Sequence, residues 1–228
     1  MNESPTNEPR PILGMVGGTG QLGAALARRL AKAGYRVILG SRDLEKARRC
    51  AMELRTQTSG EIEAGSNVEA AERAGIVIVT VPFAAQRDTL MDIRTVVASK
   101  IVVDTTVPLV PPKVMRVQLP QEGSAALRAQ QLLGESVQLV SAFHNVAAHR
   151  LASDEAIDCD VLVFSDSKNA RAQVVRLADD AGLRGVHGGA LANSIAAEAL
   201  TSVLIFINRT YCVDGAGLRI TGKLTPGA

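Results

Sequence analysis

The stretch Ile12–Gly23, ILGMVGGTGQLG, restricts most what this chain can fold into. A short apolar run ends in a glycine cluster, and the cluster opens directly onto AALARRLAKAG, a segment of helical period. Gly18-Thr19-Gly20-Gln21-Leu22-Gly23 fits G-x-G-x-x-G. With 20 glycines in 228 residues the pattern alone is a weak signal. Set between a strand and a helix it has physical meaning. Gly18 permits the tight turn, Gly20 lets a pyrophosphate approach the backbone, and Gly23 lets helix and strand pack closely. The helix start then offers unpaired N–H donors and partial positive charge to an anion.

The rest of the chain repeats that alternation. Short β-branched runs at Ile12–Val16, Arg36–Leu39, Ile76–Val81, Ile101–Asp104, Val137–Ser141 and Val161–Phe164 predict strands, with further ones at Glu61–Glu63 and Arg184–His187. Between them, Gln21–Ala33, Asp43–Thr56, Phe83–Ala98 and Lys168–Ala181 have the length and spacing of amphipathic helices. The fold class is therefore α/β, a Rossmann-type doubly wound, mostly parallel sheet with a small C-terminal portion. Strands such as IVIVTV, apolar on both faces, suit central positions covered by helices on both sides. TTVPLVPPK, Thr105–Lys113, holds three of the nine prolines and reads as a rigid loop after a strand. Residues 1–11 read as a disordered tail, 12–145 as the dinucleotide-binding domain, and 146–228 as a smaller domain completing the cleft and carrying a dimer contact.

The end of the second strand decides which dinucleotide. An NAD site usually carries Asp or Glu there, about 20 residues beyond the glycines, to bind the ribose 2′-hydroxyl. Here the position holds Ser41 and Arg42, with Lys46 one turn into the next helix. A carboxylate repels a 2′-phosphate, whereas a hydroxyl, a guanidinium and an ammonium bind it. The residues point to NADP(H).

Composition removes other classes. Net charge is +2 and aromatic residues are 3%, so a basic, ring-lined nucleic-acid groove is not supported and small-molecule partners fit better. MNESPTNEPRP has no apolar core after a basic start, so it is not read as a secretory signal. Cys50, Cys159 and Cys212 are odd in number and far apart, which implies a reducing, cytoplasmic setting. His144, His149 and His187 lack ligand spacing, and no metal is expected. The longest apolar stretch, Ile195–Ile207, contains Glu198 and is shorter than the roughly 20 residues of a bilayer span, so it reads as a buried helix at a subunit contact.

The second half offers no familiar acid–base pair for alcohol oxidation. The two tyrosines, Tyr35 and Tyr211, have no Lys four residues on. Val79-Thr80-Val81-Pro82-Phe83 ends a strand in a proline turn, either a cleft wall or a simple stop. His144, at the end of SAFH, reads as a structural partner or a hydrogen-bond donor. Gly188-Gly189-Ala190-Leu191-Ala192-Asn193-Ser194 reads as a glycine approach to a flat ligand or as a helix cap.

Taken in order, VGGTGQLGAALARRLAKAGYRVILGSRDLEKA, VTVPFAAQ, VVDTTVPLV, VSAFHNVAAHRLA, GALANSIAAEALT and NRTYCVDGAGLRITG resemble the NADPH-dependent reductases of the 8-hydroxy-5-deazaflavin coenzyme F-420. The resemblance spans about residues 12 to 222. It implies a cytoplasmic homodimeric oxidoreductase with NADP(H) and the deazaflavin stacked in one cleft for direct hydride transfer. It also implies that Thr19, Gly20, Gln21 and Leu22 hold the pyrophosphate, that Ser41, Arg42 and Lys46 hold the 2′-phosphate, and that Val81, Ala85, Val107 and Ala148 line the remaining length. His144 is the candidate hydrogen bond to the deazaflavin, without being an obligatory acid. The chain departs from the family pattern at Ala147, often Pro, and at Phe83, Trp in some members. Two other readings stay open on residues alone: an NADP(H)-dependent reductase of another small substrate or flavin, and a non-catalytic NADP(H)-binding redox sensor.

Overall fold

The structure is a computed structural model and describes residues 10–225. The expected N-terminal tail therefore lies, up to residue 9, outside the described residues. Eight strands form one sheet in the order β3-β2-β1-β4-β5-β6-β7-β8. They are β1 (Leu13–Val16), β2 (Val37–Ser41), β3 (Ile62–Ser66), β4 (Ile76–Val79), β5 (Ile101–Asp104), β6 (Gln138–Ser141), β7 (Asp160–Phe164) and β8 (Arg184–Gly189). The first six pair in parallel, β1 beside both β2 and β4. β7 turns antiparallel to β6 at Ser141 opposite Phe164, and β8 runs parallel to β7. Residues beyond 145 thus extend the same sheet.

The four central strands β1, β2, β4 and β5 are buried at every position, as their two-sided apolar runs require. Helices cover both faces: α1 (Gln21–Lys32), α2 (Leu44–Arg55), α3 (Asn67–Arg73), α4 (Phe83–Ile93), α5 (Ala125–Leu133), α6 (Ala148–Leu151), α7 (Lys168–Asp180) and α8 (Ser194–Tyr211). One core gathers Leu26, Leu30, Leu39 and Val163; the other, on the opposite face, gathers Val77, Leu90, Ile93 and Leu139.

Several elements differ from the expectation. The helix expected over Phe83–Ala98 ends at Ile93 and tightens into a 3-10 turn at Arg94–Val96. The strand expected to reach Val81 stops at Val79, because Pro82 supplies no N–H and fixes the entry to α4. α3 arises from a capping box: the Ser66 hydroxyl accepts the Glu69 N–H and the Glu69 carboxylate accepts the Ser66 N–H. The most instructive correction is α8, expected to be buried. Its inward residues are Ser194, Ala197, Glu198, Ser202 and Leu204, whereas Val203 and Phe206 are 43% and 52% exposed. Leu191–Tyr211 is, by length and composition, the one segment among the described residues able to cross a membrane.

Candidate functional site

In this strand order the topological direction reverses at β1, and a crevice opens beyond the C-terminal ends of β1 and β4. A cavity of about 650 Å³ lies there, within the range of small-molecule sites. Its floor is the β1–α1 turn, at Gly17, Thr19 and Gly20. One end is Ser41, Arg42, Asp43 and Lys46; the opposite wall is Thr80, Val81, Pro82 and Ala85. Seven residues singled out in the sequence therefore meet: Thr19, Gly20, Ser41, Arg42, Lys46, Val81 and Ala85. Gly18, Gln21, Leu22, Gly23, Val107, Ala148 and His144 do not line this cavity.

The turn divides its labour among four glycines. The left-handed φ of +72° falls on Gly17, one residue before the position expected to make the turn. Gly18 lies beneath, where an added Cβ meets the Met15 carbonyl at 2.7 Å. At Gly23 a Cβ meets the Thr80 hydroxyl at 2.5 Å and the Gly18 Cα at 2.8 Å, so close helix–strand packing requires glycine there. Gly20 is different. A Cβ there meets nothing nearer than the Gly17 carbonyl at 3.6 Å, and the residue is exposed towards the cavity. Nothing inside the protein demands glycine at 20. Asn67, missed in the sequence, steadies the turn by accepting the Gly17 N–H on Oδ1 at 3.0 Å while only 6% exposed. The signal that would have found it is the capping box beginning one residue earlier.

Gly20 is also the N-cap of α1, with no side chain capping it and no acidic residue in the first turn. The Gly20 N–H returns to the Gly17 carbonyl at 3.1 Å and the Ala24 N–H to the Gly20 carbonyl, which leaves the amides of Gln21, Leu22 and Gly23 without a backbone partner at the helix start. The cationic end is just as uncommitted. Asp43 spends its carboxylate on the Lys46 N–H at 2.9 Å, and Glu45 pairs with Arg48. Among the described residues, the Arg42 guanidinium and Lys46 ammonium have no carboxylate partner, and both are exposed. The Ser41 hydroxyl accepts the Asp43 N–H at 3.1 Å, so its own proton remains free to donate. With Asp43 present the end carries one surplus positive charge. These residues fit a pyrophosphate on the helix start and a ribose 2′-phosphate beside Ser41.

His144 stands apart, on the β6 side. Burial pushes its imidazole down to about 3, so it is neutral at physiological pH. Its Nε2 is 2.9 Å from the Ser141 hydroxyl. Phe143, immediately before it, adopts φ +65°, a conformation costing about 1–2 kcal/mol outside glycine. At Gly188 a Cβ would strike the Phe164 ring, so packing requires glycine there.

A parallel sheet in this order, with a glycine turn opening on a helix start at the reversal point, defines the Rossmann class of dinucleotide-binding proteins. The model of the family described as NADP oxidoreductase, coenzyme F420-dependent, matches residues 12–108. The F420-dependent NADP reductase of Methanothermobacter thermautotrophicus is 39% identical over 218 residues, covering 92% of this chain and 94% of that protein. The enzyme of the same name from Methanocaldococcus jannaschii is 36% identical over 92% of the chain and 97% of its own length. A crystal structure of an Arthrobacter sp. FB24 protein superposes with a TM-score of 0.76 over 92% of this chain and 98% of that one; at 20% identity it speaks to the fold. The chain belongs to the F420-dependent NADP oxidoreductase family.

Proposed function

We propose that the protein transfers a hydride between NADP(H) and the deazaflavin coenzyme F420. One observation carries the reading: 39% identity to an F420-dependent NADP reductase, running through 92% of the chain and so through both halves of the cleft. Bound side by side, the nicotinamide C4 and the deazaflavin C5 supply the chemistry, a hydride passing directly between them while one proton exchanges with solvent. The protein then needs mainly to hold two rings at reacting distance. That accounts for the lack of a Tyr-x-x-x-Lys pair.

In this reading the amides at Gln21 and Leu22 hold the pyrophosphate, with Thr19 and Gly20 beside them and Gly18 and Gly23 setting the turn. Ser41, Arg42 and Lys46 select the 2′-phosphate. Val81, Ala85, Val107 and Ala148 flank the remaining length. His144, held neutral by burial, serves as a hydrogen-bond partner of the deazaflavin. Residues 12–145 bind NADP(H), and those from 146 onward complete the cleft.

We also infer a homodimer built on α8, because its apolar side chains face outward at Val203 and Phe206. Partners are small redox molecules, with neither nucleic acid nor membrane involved. The three free cysteines support a cytoplasmic setting. NADPH carrying deuterium at the transferred C4 position tests the chemistry. The label is expected in the reduced deazaflavin; its loss to solvent would contradict direct transfer.

A further inference from the structure

Behind the cleft lies a buried polar chain that the proposed function leaves unused. Asp104, the last residue of β5, is 1% exposed. Its Oδ1 accepts the Thr106 N–H at 3.1 Å, and its Oδ2 accepts Gln86 Nε2 at 2.5 Å. Gln86 is wholly buried in the first turn of α4, next to the cavity-lining Ala85. Its Nε2 also donates to the Ala125 carbonyl at 3.0 Å, and its Oε1 accepts Arg128 Nε at 2.9 Å. Arg128 donates in turn to the Phe83 carbonyl at 3.1 Å and stacks 3.9 Å from that ring's centroid. From the C-terminal side, Glu198 of α8 accepts the N–H groups of Ala125 and Ala126 at 2.6 and 3.1 Å.

Burying a carboxylate is costly, and apolar side chains of equal volume would often stabilise the fold better. The arrangement of bonds shows what Asp104 offers instead. Each of its two oxygens is tied to a different backbone segment: one to the loop after β5, which continues into Val107, the other through Gln86 to the turn before and within α4. A weaker tie, the Thr106 hydroxyl to the Val81 carbonyl at 3.4 Å, joins the same two segments. If the 2′-phosphate sits by Arg42, the dinucleotide crosses the α1 start, and its nicotinamide half lies on the β4–β5 side.

We propose that Asp104 is a positioning residue for hydride transfer, fixing the separation of the Thr106–Val107 loop and the Val81–Ala85 turn across the nicotinamide half of the cleft. This rests on the hydride-transfer reading above. Misplacing a reacting centre by about 1 Å can cost roughly a hundredfold in rate. An asparagine in place of Asp104 keeps the shape but sets an NH₂ against the Thr106 N–H or the Gln86 Nε2, two donors facing each other, so one tie is lost.

The charged group acting on Asp104 is Arg128 from α5; Glu198 of α8, its carboxyl raised to about 8 by burial, is protonated where Asp104 titrates, and the partners from α4 and its own loop, Gln86 and Thr106, are neutral. Burial raises the Asp104 carboxyl to about 6. Its protonation there puts a proton against a donor and loosens the same tie.

The test compares D104N, the swapped pair Q86E/D104N and R128A with wild type, using NADPH, its C4-deuterated form and the deazaflavin. In D104N, kcat is expected to fall about 10- to 100-fold, with KM for NADPH within about threefold and a larger primary isotope effect. The wild-type fall in kcat below about pH 6 is expected to be absent in D104N. In the swapped pair the amide donates from β5 to the carboxylate on α4, which restores that tie but loses the bond from residue 86 to the Ala125 carbonyl, so a partial return, at least about threefold above D104N, is expected. A D104N enzyme with more than half the wild-type kcat, or one whose loss falls wholly on KM for NADPH, overturns the proposal. Should D104N not fold, R128A carries the test, with a smaller loss of kcat and the same rise in isotope effect expected; an unchanged isotope effect overturns it. A wild-type protein that binds NADPH but reduces no deazaflavin overturns the parent reading and this one with it, and the wild-type arm separates that failure from the variants'.

Discussion

Gly17, Gly18, Gly20 and Gly23 share one turn, yet of these only Gly20 has both an ordinary φ and room for a Cβ. That difference is measurable. G20A should leave stability within about 1 kcal/mol of wild type, since its φ of −77° and open surroundings accept a methyl group, while NADPH affinity falls at least tenfold. G23A should instead lose stability by several kcal/mol, because its Cβ overlaps the Gly18 backbone and the Thr80 hydroxyl. Chemical denaturation and NADPH titration of both variants check the pair of outcomes. At the other end of the cavity, R42A should raise KM for NADPH by roughly tenfold to a hundredfold and barely alter KM for NADH, the scale of one or two charge-assisted bonds. Equal effects on both cofactors would remove Arg42 from the 2′-phosphate. The G-x-G-x-x-G spacing and the Ser41-Arg42 ending were legible in the sequence because each is a local requirement. The left-handed residue was not, since spacing alone does not say which of two adjacent glycines carries the positive φ.

Among the elements, α8 shows why hydropathy misleads. The sequence marks Ile195–Ile207 as apolar and hence interior, but Glu198 and Ser202 pack inward with Ala197 and Leu204 while Val203 and Phe206 face outward. Glu198 tethers the start of α5, a helix that the alternation of strands and helices did not reveal because it follows a long proline-rich loop. Burial raises the Glu198 carboxyl from its ordinary 4.5 to about 8, against the pull of the two N–H groups it accepts. A carboxyl raised on folding contributes stability that is full below its unfolded value and is lost as pH rises through its folded value. The melting temperature should therefore decline between about pH 5 and pH 9, and E198Q should flatten that decline. A melting temperature that climbs steadily over that window would show Glu198 ionised throughout. Asp104 was legible only as the end of a strand. Its partners come from α4 and α5, and contacts between residues far apart in sequence leave no local pattern.

At the scale of the molecule, eight strands in one sheet place the cleft at the reversal point, and α8 turns apolar side chains outward at Val203 and Phe206. If that face is the dimer contact, F206E should yield a monomer by sedimentation, with NADPH binding retained because the cavity lies elsewhere. A dimer that survives F206E would move the contact off α8. The doubly wound, mostly parallel class was legible, from six β-branched runs alternating with helical segments. The reversal of β7 and β8 was not, because strand direction depends on how the connection packs rather than on the strand's own composition. The central claim, hydride exchange between NADP(H) and a deazaflavin, is tested most directly by mixing the protein with NADPH and oxidised F420 and following loss of the deazaflavin's visible absorbance, with FMN and riboflavin as controls. The account predicts turnover with F420 and none with either flavin; NADPH binding without F420 reduction, or equal reduction of all three, would contradict it.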